Sequence, residues 1–128
     1  MTSLKAETGD HLRKDDGKPR LDLLPPEAIM ALGDLYTRGA VKYAPRGWEE
    51  GMSWGRCLAS LLRHTFKWMR GEDYDEETGA HHMIAVMWNA AALYTYHIRK
   101  LGTDDRSVTP KGKSEDVVGM IGVLKKNG

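Results

Sequence analysis

Apolar positions along the chain fall into three runs with helical spacing. In the first, Ile29, Leu32, Tyr36, Ala40 and Tyr43 recur at three- and four-residue steps and predict a helix over about 26–43. Pro25-Pro26-Glu27 is a suitable start, because proline is tolerated in a first helical turn and an acid there meets the positive helix end. Gly39 within this run is expected to mark a close helix–helix approach. The second run follows Ser53, a good N-cap, and predicts a helix over about 54–70. Its apolar stripe is Leu58, Leu61, Leu62, Thr65 and Met69, with Arg56, Ser60, Arg63 and Lys67 opposite, and Gly71 ends it. The third run, about 79–100, is apolar almost all round, which predicts the central helix, closed by Lys100 and Gly102. The fold expected is all-α, a small helical bundle.

The connecting segments are polar. Residues 1–17 are charged and poor in apolar groups, and are expected to be a flexible lead-in. Residues 17–24 contain Pro19 and are expected to be extended, and 44–53 to be a loop. Residues 18–102 then form the helical domain, leaving a tail, 103–128, in which 116–124 suits either a strand or a further helix.

Composition removes several functional classes. With 19 Lys and Arg against 18 Asp and Glu, the formal net charge of +1 lacks the basic excess of a charge-driven nucleic-acid binder. The longest apolar run, Met83 to Tyr96, is short for a bilayer span and contains Asn89, so no membrane partner is expected. One cysteine, Cys57, cannot form an internal disulfide, which suits a reducing cytoplasm.

Candidate chemistry lies on the second and third helices. His82, Asn89 and Tyr96 are spaced by seven and share one face of an otherwise apolar helix. Buried polar groups need partners, so this face either pairs across the bundle or walls a pocket in which Ala85 and Ala92 leave space. Glu72, Asp75, Glu76 and Glu77 cluster just before the third helix. They suit either a hard divalent cation that accompanies a triphosphate or an ordinary acidic turn at a helix N-terminus. His64 borders the apolar stripe of the second helix and is expected to be partly buried. Lys18, Arg20, Lys42, Arg46 and Arg63 are candidate phosphate contacts, and each also suits a solvated surface. Trp48 and Trp54 are read as core plugs before base-stacking platforms. Gly17-Lys18 lacks the rest of a phosphate-binding glycine loop, and no nucleophilic serine or cysteine motif is present, which leaves activated water as the natural nucleophile.

Taken in order, Lys14-Asp15-Asp16-Gly17-Lys18-Pro19-Arg20-Leu21-Asp22-Leu23-Leu24-Pro25-Pro26-Glu27-Ala28, Gly39-Ala40-Val41-Lys42-Tyr43, Trp48-Glu49-Glu50-Gly51, Leu62-Arg63-His64, Gly71-Glu72-Asp73-Tyr74-Asp75-Glu76-Glu77-Thr78-Gly79, and His82 with Asn89 form a recognisable set. The set resembles the phage dATP/dGTP diphosphohydrolase family, itself similar to MazG-like all-α nucleotide pyrophosphohydrolases, over about residues 14–97. The resemblance implies a helical fold, a divalent metal (Mg²⁺, Mn²⁺ or Co²⁺), and cleavage of a purine deoxynucleoside triphosphate to monophosphate and pyrophosphate. The chain departs from the pattern at Ala85, where relatives often carry a second histidine, and at Gly47, where an asparagine often precedes the tryptophan.

The combined expectation is a metal-dependent nucleotide pyrophosphohydrolase of the cytoplasm, the host's if the chain is phage-encoded. Glu72, Asp75 and His82, with Glu49 and His64, are the expected metal and catalytic set. Lys18, Arg20, Lys42, Arg46, Arg63, Asn89 and Trp48 are the expected substrate contacts. A bundle this small is expected to form a homo-oligomer. The competing reading is a phage protein that sequesters a nucleotide uncleaved.

Overall fold

In a computed structural model, residues 12–108 are described. Most of the expected lead-in, and the whole 116–124 segment, lie outside them. The described chain holds three α-helices: α1 (Pro26–Lys42), α2 (Trp54–Met69) and α3 (His82–Arg99). No strand occurs among the described residues; only isolated bridges join Ser53 to Thr103 and Tyr74 to His81. The all-α bundle expected from the apolar pattern is therefore what forms.

Each helix begins and ends for a local reason. Pro26 opens α1 with Glu27 in its first turn. Ser53 caps α2 by accepting the Arg56 N–H. The Ser53 hydroxyl in turn donates to Asp105 at 2.6 Å, and the Gly55 N–H donates to the same carboxylate at 2.7 Å. His81 caps α3, its Nδ1 accepting the Met83 N–H at 3.0 Å. At the far end Lys100 turns left-handed (φ 58°) and the Leu101 N–H returns to the Tyr96 carbonyl. There the chain crosses back over the start of α2. A Cβ on Gly51 would stand 2.7 Å from the Gly102 nitrogen, and one on Gly102 would collide with the Met52 carbonyl. Both positions have positive φ, so only glycine allows this backbone crossing. Contacts with α2 thus continue past residue 102, through Thr103 and Asp105.

As expected, α3 is the central helix, packed on both α2 and α1. The core is small: Cys57, Ala92 and Tyr96 are buried, with Trp48, Trp54, Trp88, Leu93 and Leu101 packed around them. The Tyr96 hydroxyl donates to the Trp48 carbonyl at 2.7 Å, and the Trp54 indole N–H donates to the Leu101 carbonyl at 2.9 Å. Burial, with Cys57 and Tyr36 nearby, pushes the Tyr96 phenol up to about 12, so it stays a neutral donor. Both tryptophans are therefore packed on the core, as read from sequence, and Trp48 also borders the cavity described below.

Three local expectations are corrected. Residues Leu21–Leu23 form a 3₁₀ turn instead of extended chain, because Pro19 restrains itself and the residue before it, not those that follow. Gly39 marks no close approach: a Cβ there would meet nothing within 4 Å. The third correction concerns α2. Of its expected apolar stripe, Leu58, Leu62 and Met69 face outward, together with Phe66, while Leu61 and Thr65 are half-buried. The side turned to the bundle carries Cys57, Ser60, His64 and Lys67 beside Leu61 and Thr65. A polar inward face on an amphipathic helix means that it borders something other than a dry core.

Candidate functional site

What it borders is a cleft. An open cavity of about 1110 Å³ lies among the C-terminal half of α1, the turn after it, α2 and α3. That is enough for a nucleotide-sized molecule, since small-molecule sites run to about 300–1,000 Å³. Its walls differ in chemistry from place to place.

At one place stands a compact donor cluster. His64, Asp75 and His82 each present a ligand atom within 4.8 Å of the others. His64 comes from α2, His82 opens α3, and Asp75 sits in the loop between them. His82 is wholly buried and Asp75 is 8 % exposed. The two Nδ1 atoms of His64 and His82 face each other at 2.8 Å. The far nitrogen of His82, Nε2, lies 2.7 Å from Glu72 Oε2. With Nε2–H donating to that carboxylate, His82 Nδ1 presents a lone pair, and His64 Nδ1–H supplies the donor to it. A histidine whose outer N–H rests on a carboxylate and whose inner nitrogen faces other ligand atoms has the usual arrangement of a metal ligand; to hold an ion, His82 Nδ1 would give up its bond to His64.

The loop holds Asp75 by its backbone and its side chain. Asp75 N–H donates to the Ala80 carbonyl at 2.8 Å, and the Gly79 N–H returns to the Asp75 carbonyl at 2.7 Å. Its Oδ2 accepts from the Thr78 N–H at 3.1 Å and the Thr78 hydroxyl at 2.8 Å. Burial pushes the Asp75 carboxyl up, but the Thr78 bonds and the charges of His64 and Lys67 more than offset this, leaving it below the ordinary value. Asp75 is therefore a carboxylate at neutral pH. For His64, burial dominates and lowers the pKa; Asp75 opposes this, while His82, Lys67 and Arg63 reinforce it. A neutral imidazole beside a carboxylate is the form that binds a cation.

Beyond the cluster, five cations line the cleft: Arg38, Lys42, Arg46, Arg63 and Lys67. Glu50, Asp75 and Glu77 are the acids among the lining residues. An aromatic wall completes it. Tyr36 and Trp88 lie 5.5 Å apart at 31°, and Trp48 meets Tyr36 edge-on at 5.8 Å.

The structure brings together some of the expected site residues and separates others. His64, Asp75, His82 and Glu72 meet, and Lys42, Arg46, Arg63, Trp48 and Asn89 line the cleft. Glu49 does not join the cluster: its carboxylate faces Arg99 at 3.6 Å and Arg46 at 3.9 Å. Lys18 and Arg20 do not line the cleft, and Arg20 is closed in a two-point bond with its own neighbour Asp22. Asn89 has its amide spent inside the protein, donating to the Ala85 carbonyl at 2.8 Å and Ser60 Oγ at 3.4 Å, and accepting from Cys57 Sγ. It shapes the wall instead of offering a free group. Ala92 and Tyr96 belong to the core, so of the small residues on that face only Ala85 lines the cleft. Sequence reasoning missed Arg38, Lys67, Tyr36 and Trp88 as lining residues. For Lys67 the signal was present: Ser60, Arg63, His64 and Lys67 recur at helical spacing.

Fold and cleft define a small helical domain with a histidine–carboxylate cluster opening on a cationic, aromatic-walled cavity. The chain belongs to the family described as dATP/dGTP diphosphohydrolase, N-terminal, which matches residues 8–106. It is 31% identical over 95 residues to a dATP/dGTP diphosphohydrolase of Salmonella phage PMBT28, a match covering 74% of this chain. The same match spans 32% of the relative's own length. No solved structure gives a significant match. No described helix is long and apolar enough to cross a membrane.

Proposed function

We propose that the chain is a metal-dependent hydrolase that cleaves dATP or dGTP to the monophosphate and pyrophosphate. The observation that carries this reading is the His64–Asp75–His82 cluster, backed by Glu72, at the edge of a cationic cleft. The name of the phage relative supports the choice of substrate.

The donor set fits a divalent ion, with His64, Asp75 and His82 as ligands and Glu72 orienting His82. Two imidazoles and one carboxylate suit Mn²⁺, Co²⁺ or Zn²⁺ better than Mg²⁺, which prefers oxygen ligands alone. Such an ion lowers the pKa of water and offsets phosphate charge. The rest is performed by the chain. Arg63 and Lys67, beside His64 on α2, hold phosphate oxygens and favour charge building on the departing pyrophosphate. Tyr36 and Trp88 offer aromatic surface for the purine, and Ala85 keeps the cleft open beside them. In the reaction, water oxygen bonds to the α-phosphorus and the α–β bridging P–O bond breaks. Pyrophosphate leaves with that bridging oxygen.

A homo-oligomer is part of the proposal. The outward stripe of Leu58, Leu62, Phe66 and Met69 runs along a helix whose polar face already serves the cleft, and a second copy of the chain would cover it.

The test is incubation of metal-stripped protein with a panel of nucleotides and added Mn²⁺ or Co²⁺, followed by chromatography. Turnover of dATP or dGTP that depends on the ion is expected. Nucleotide recovered intact from denatured protein, without turnover, would favour sequestration.

A further inference from the structure

The loop that carries Asp75 is anchored from a third helix. Arg38, on α1, donates from Nη1 to the Thr78 carbonyl at 2.6 Å, a bond spanning 40 residues of sequence. Its Nε is held by Asp34, one turn earlier on α1, at 3.1 Å. Thr78 is the residue whose N–H and hydroxyl both grip Asp75 Oδ2. Arg38 thus fixes the carbonyl of the residue that fixes the carboxylate. The same side chain borders the cleft.

We propose that Arg38 is a positioning residue for the metal cluster, acting through Thr78 on Asp75. This rests on the reading of His64, Asp75 and His82 as metal ligands. Three features carry it. First, both Thr78 bonds fall on one oxygen of Asp75, which fixes the rotation of the carboxylate that stands among the histidines. Second, the Arg38 bond ties α1 to the loop between α2 and α3, so Arg38 sets where Thr78 stands relative to the cleft wall. Third, guanidinium geometry permits one donor to serve Asp34 while another serves Thr78, a task that a lysine ammonium does not reproduce as rigidly. Outer-shell groups of this kind typically change metal affinity by about 10–100-fold when removed. At one further bond from the ligand, Arg38 should act near the lower end, about tenfold.

A rival role is direct phosphate contact, since Arg38 reaches the cleft. The two roles separate experimentally because phosphate contact requires nucleotide and positioning does not.

The experiment uses Co²⁺ alone as probe, titrated into the metal-stripped full chain and followed by visible absorption and calorimetry. Wild type, Arg38→Ala, Arg38→Lys, Thr78→Val and Thr78→Ser are compared, each with a melting curve. Expected are about tenfold weaker Co²⁺ binding and an altered absorption band in Arg38→Ala and Thr78→Val. Arg38→Lys should recover little and Thr78→Ser most of the affinity. Unchanged affinity and spectrum in Arg38→Ala, with a raised KM for dATP or dGTP, would overturn positioning in favour of phosphate contact. Unchanged Co²⁺ binding in both Arg38→Ala and Thr78→Val would overturn it outright. Absence of Co²⁺ binding by the wild type would remove the metal reading itself, and this inference with it.

Discussion

Asp75→Asn separates a ligand from a loop-former, because the two roles differ by orders of magnitude in what they cost. The substitution keeps the side chain's shape, and an amide oxygen can still accept from Thr78 N–H and Oγ–H, now 3.1 and 2.8 Å from Oδ2. Bonds to a charged acceptor contribute about 1.5–3 kcal/mol and neutral ones about 0.5–1.5, so two of them lose about 2 kcal/mol together. Burial opposes the charge of Asp75, and neutralisation recovers part of that loss. The net cost is about 0–2 kcal/mol, a fall in melting temperature of at most about 10 °C for a chain of this size. As a metal ligand, the same group should matter at least as much as an outer-shell partner, about 10–100-fold or more in affinity. The assay pairs a melting curve with Mn²⁺-dependent turnover of dATP across a metal titration. A folded variant with turnover reduced by more than about a hundredfold is expected. Near-wild-type turnover at saturating Mn²⁺, alongside the modest loss of stability, would refute the assignment and leave the acidic loop a solvated turn.

Other expectations follow from the same geometry. Ala85→Leu places bulk into the cleft wall and should weaken nucleotide binding severalfold while the fold persists; if Ala85 is only packed, overpacking should instead cost about 1–3 kcal/mol in a melting curve with affinity per folded molecule unchanged. His64 has a folded pKa below its ordinary 6.5, so the unfolded chain takes up its proton first as pH falls. Its contribution to stability is therefore present above about pH 6.5 and lost as pH drops through the folded value, which denaturant melts of His64→Gln and wild type from about pH 7.5 to 5 will show as a smaller pH slope in the variant. Lys67→Gln should raise KM for the triphosphate several-fold without abolishing Co²⁺ binding, as measured by initial rates and calorimetry. Phe66→Glu should convert an oligomer to a monomer by light scattering, since it sets a charge in the outward apolar stripe.

The three helices were legible because periodicity and caps act locally: Ser53, Pro26 and Gly71 mark ends where the sequence places them. The central position of α3 was legible from its nearly uniform apolarity. The direction in which α2 faces was not. Periodicity shows that a helix has two faces, and the assumption that the apolar one turns inward fails when the inward face lines a polar cleft. The same assumption hid Lys67, which looked like a solvated charge. His82 and Asp75 stood out because a histidine opens an apolar helix just after a run of acids. Glu49 lies apart from the cluster, and Lys18 and Arg20 lie away from the cleft, because residue type and order along the chain do not say where a side chain points. The pairing of Glu49 with Arg99 was beyond reach for the same reason, since it joins segments far apart in the sequence.

The central claim is tested most directly by running the reaction in ¹⁸O-labelled water with Mn²⁺ and dATP or dGTP, and weighing the products. Attack by water on the α-phosphorus predicts one labelled oxygen in the deoxynucleoside monophosphate and none in pyrophosphate, with no reaction once the ion is chelated. Label in pyrophosphate or in free phosphate would contradict the bond assigned. Nucleotide bound and returned unlabelled and whole would contradict hydrolysis itself.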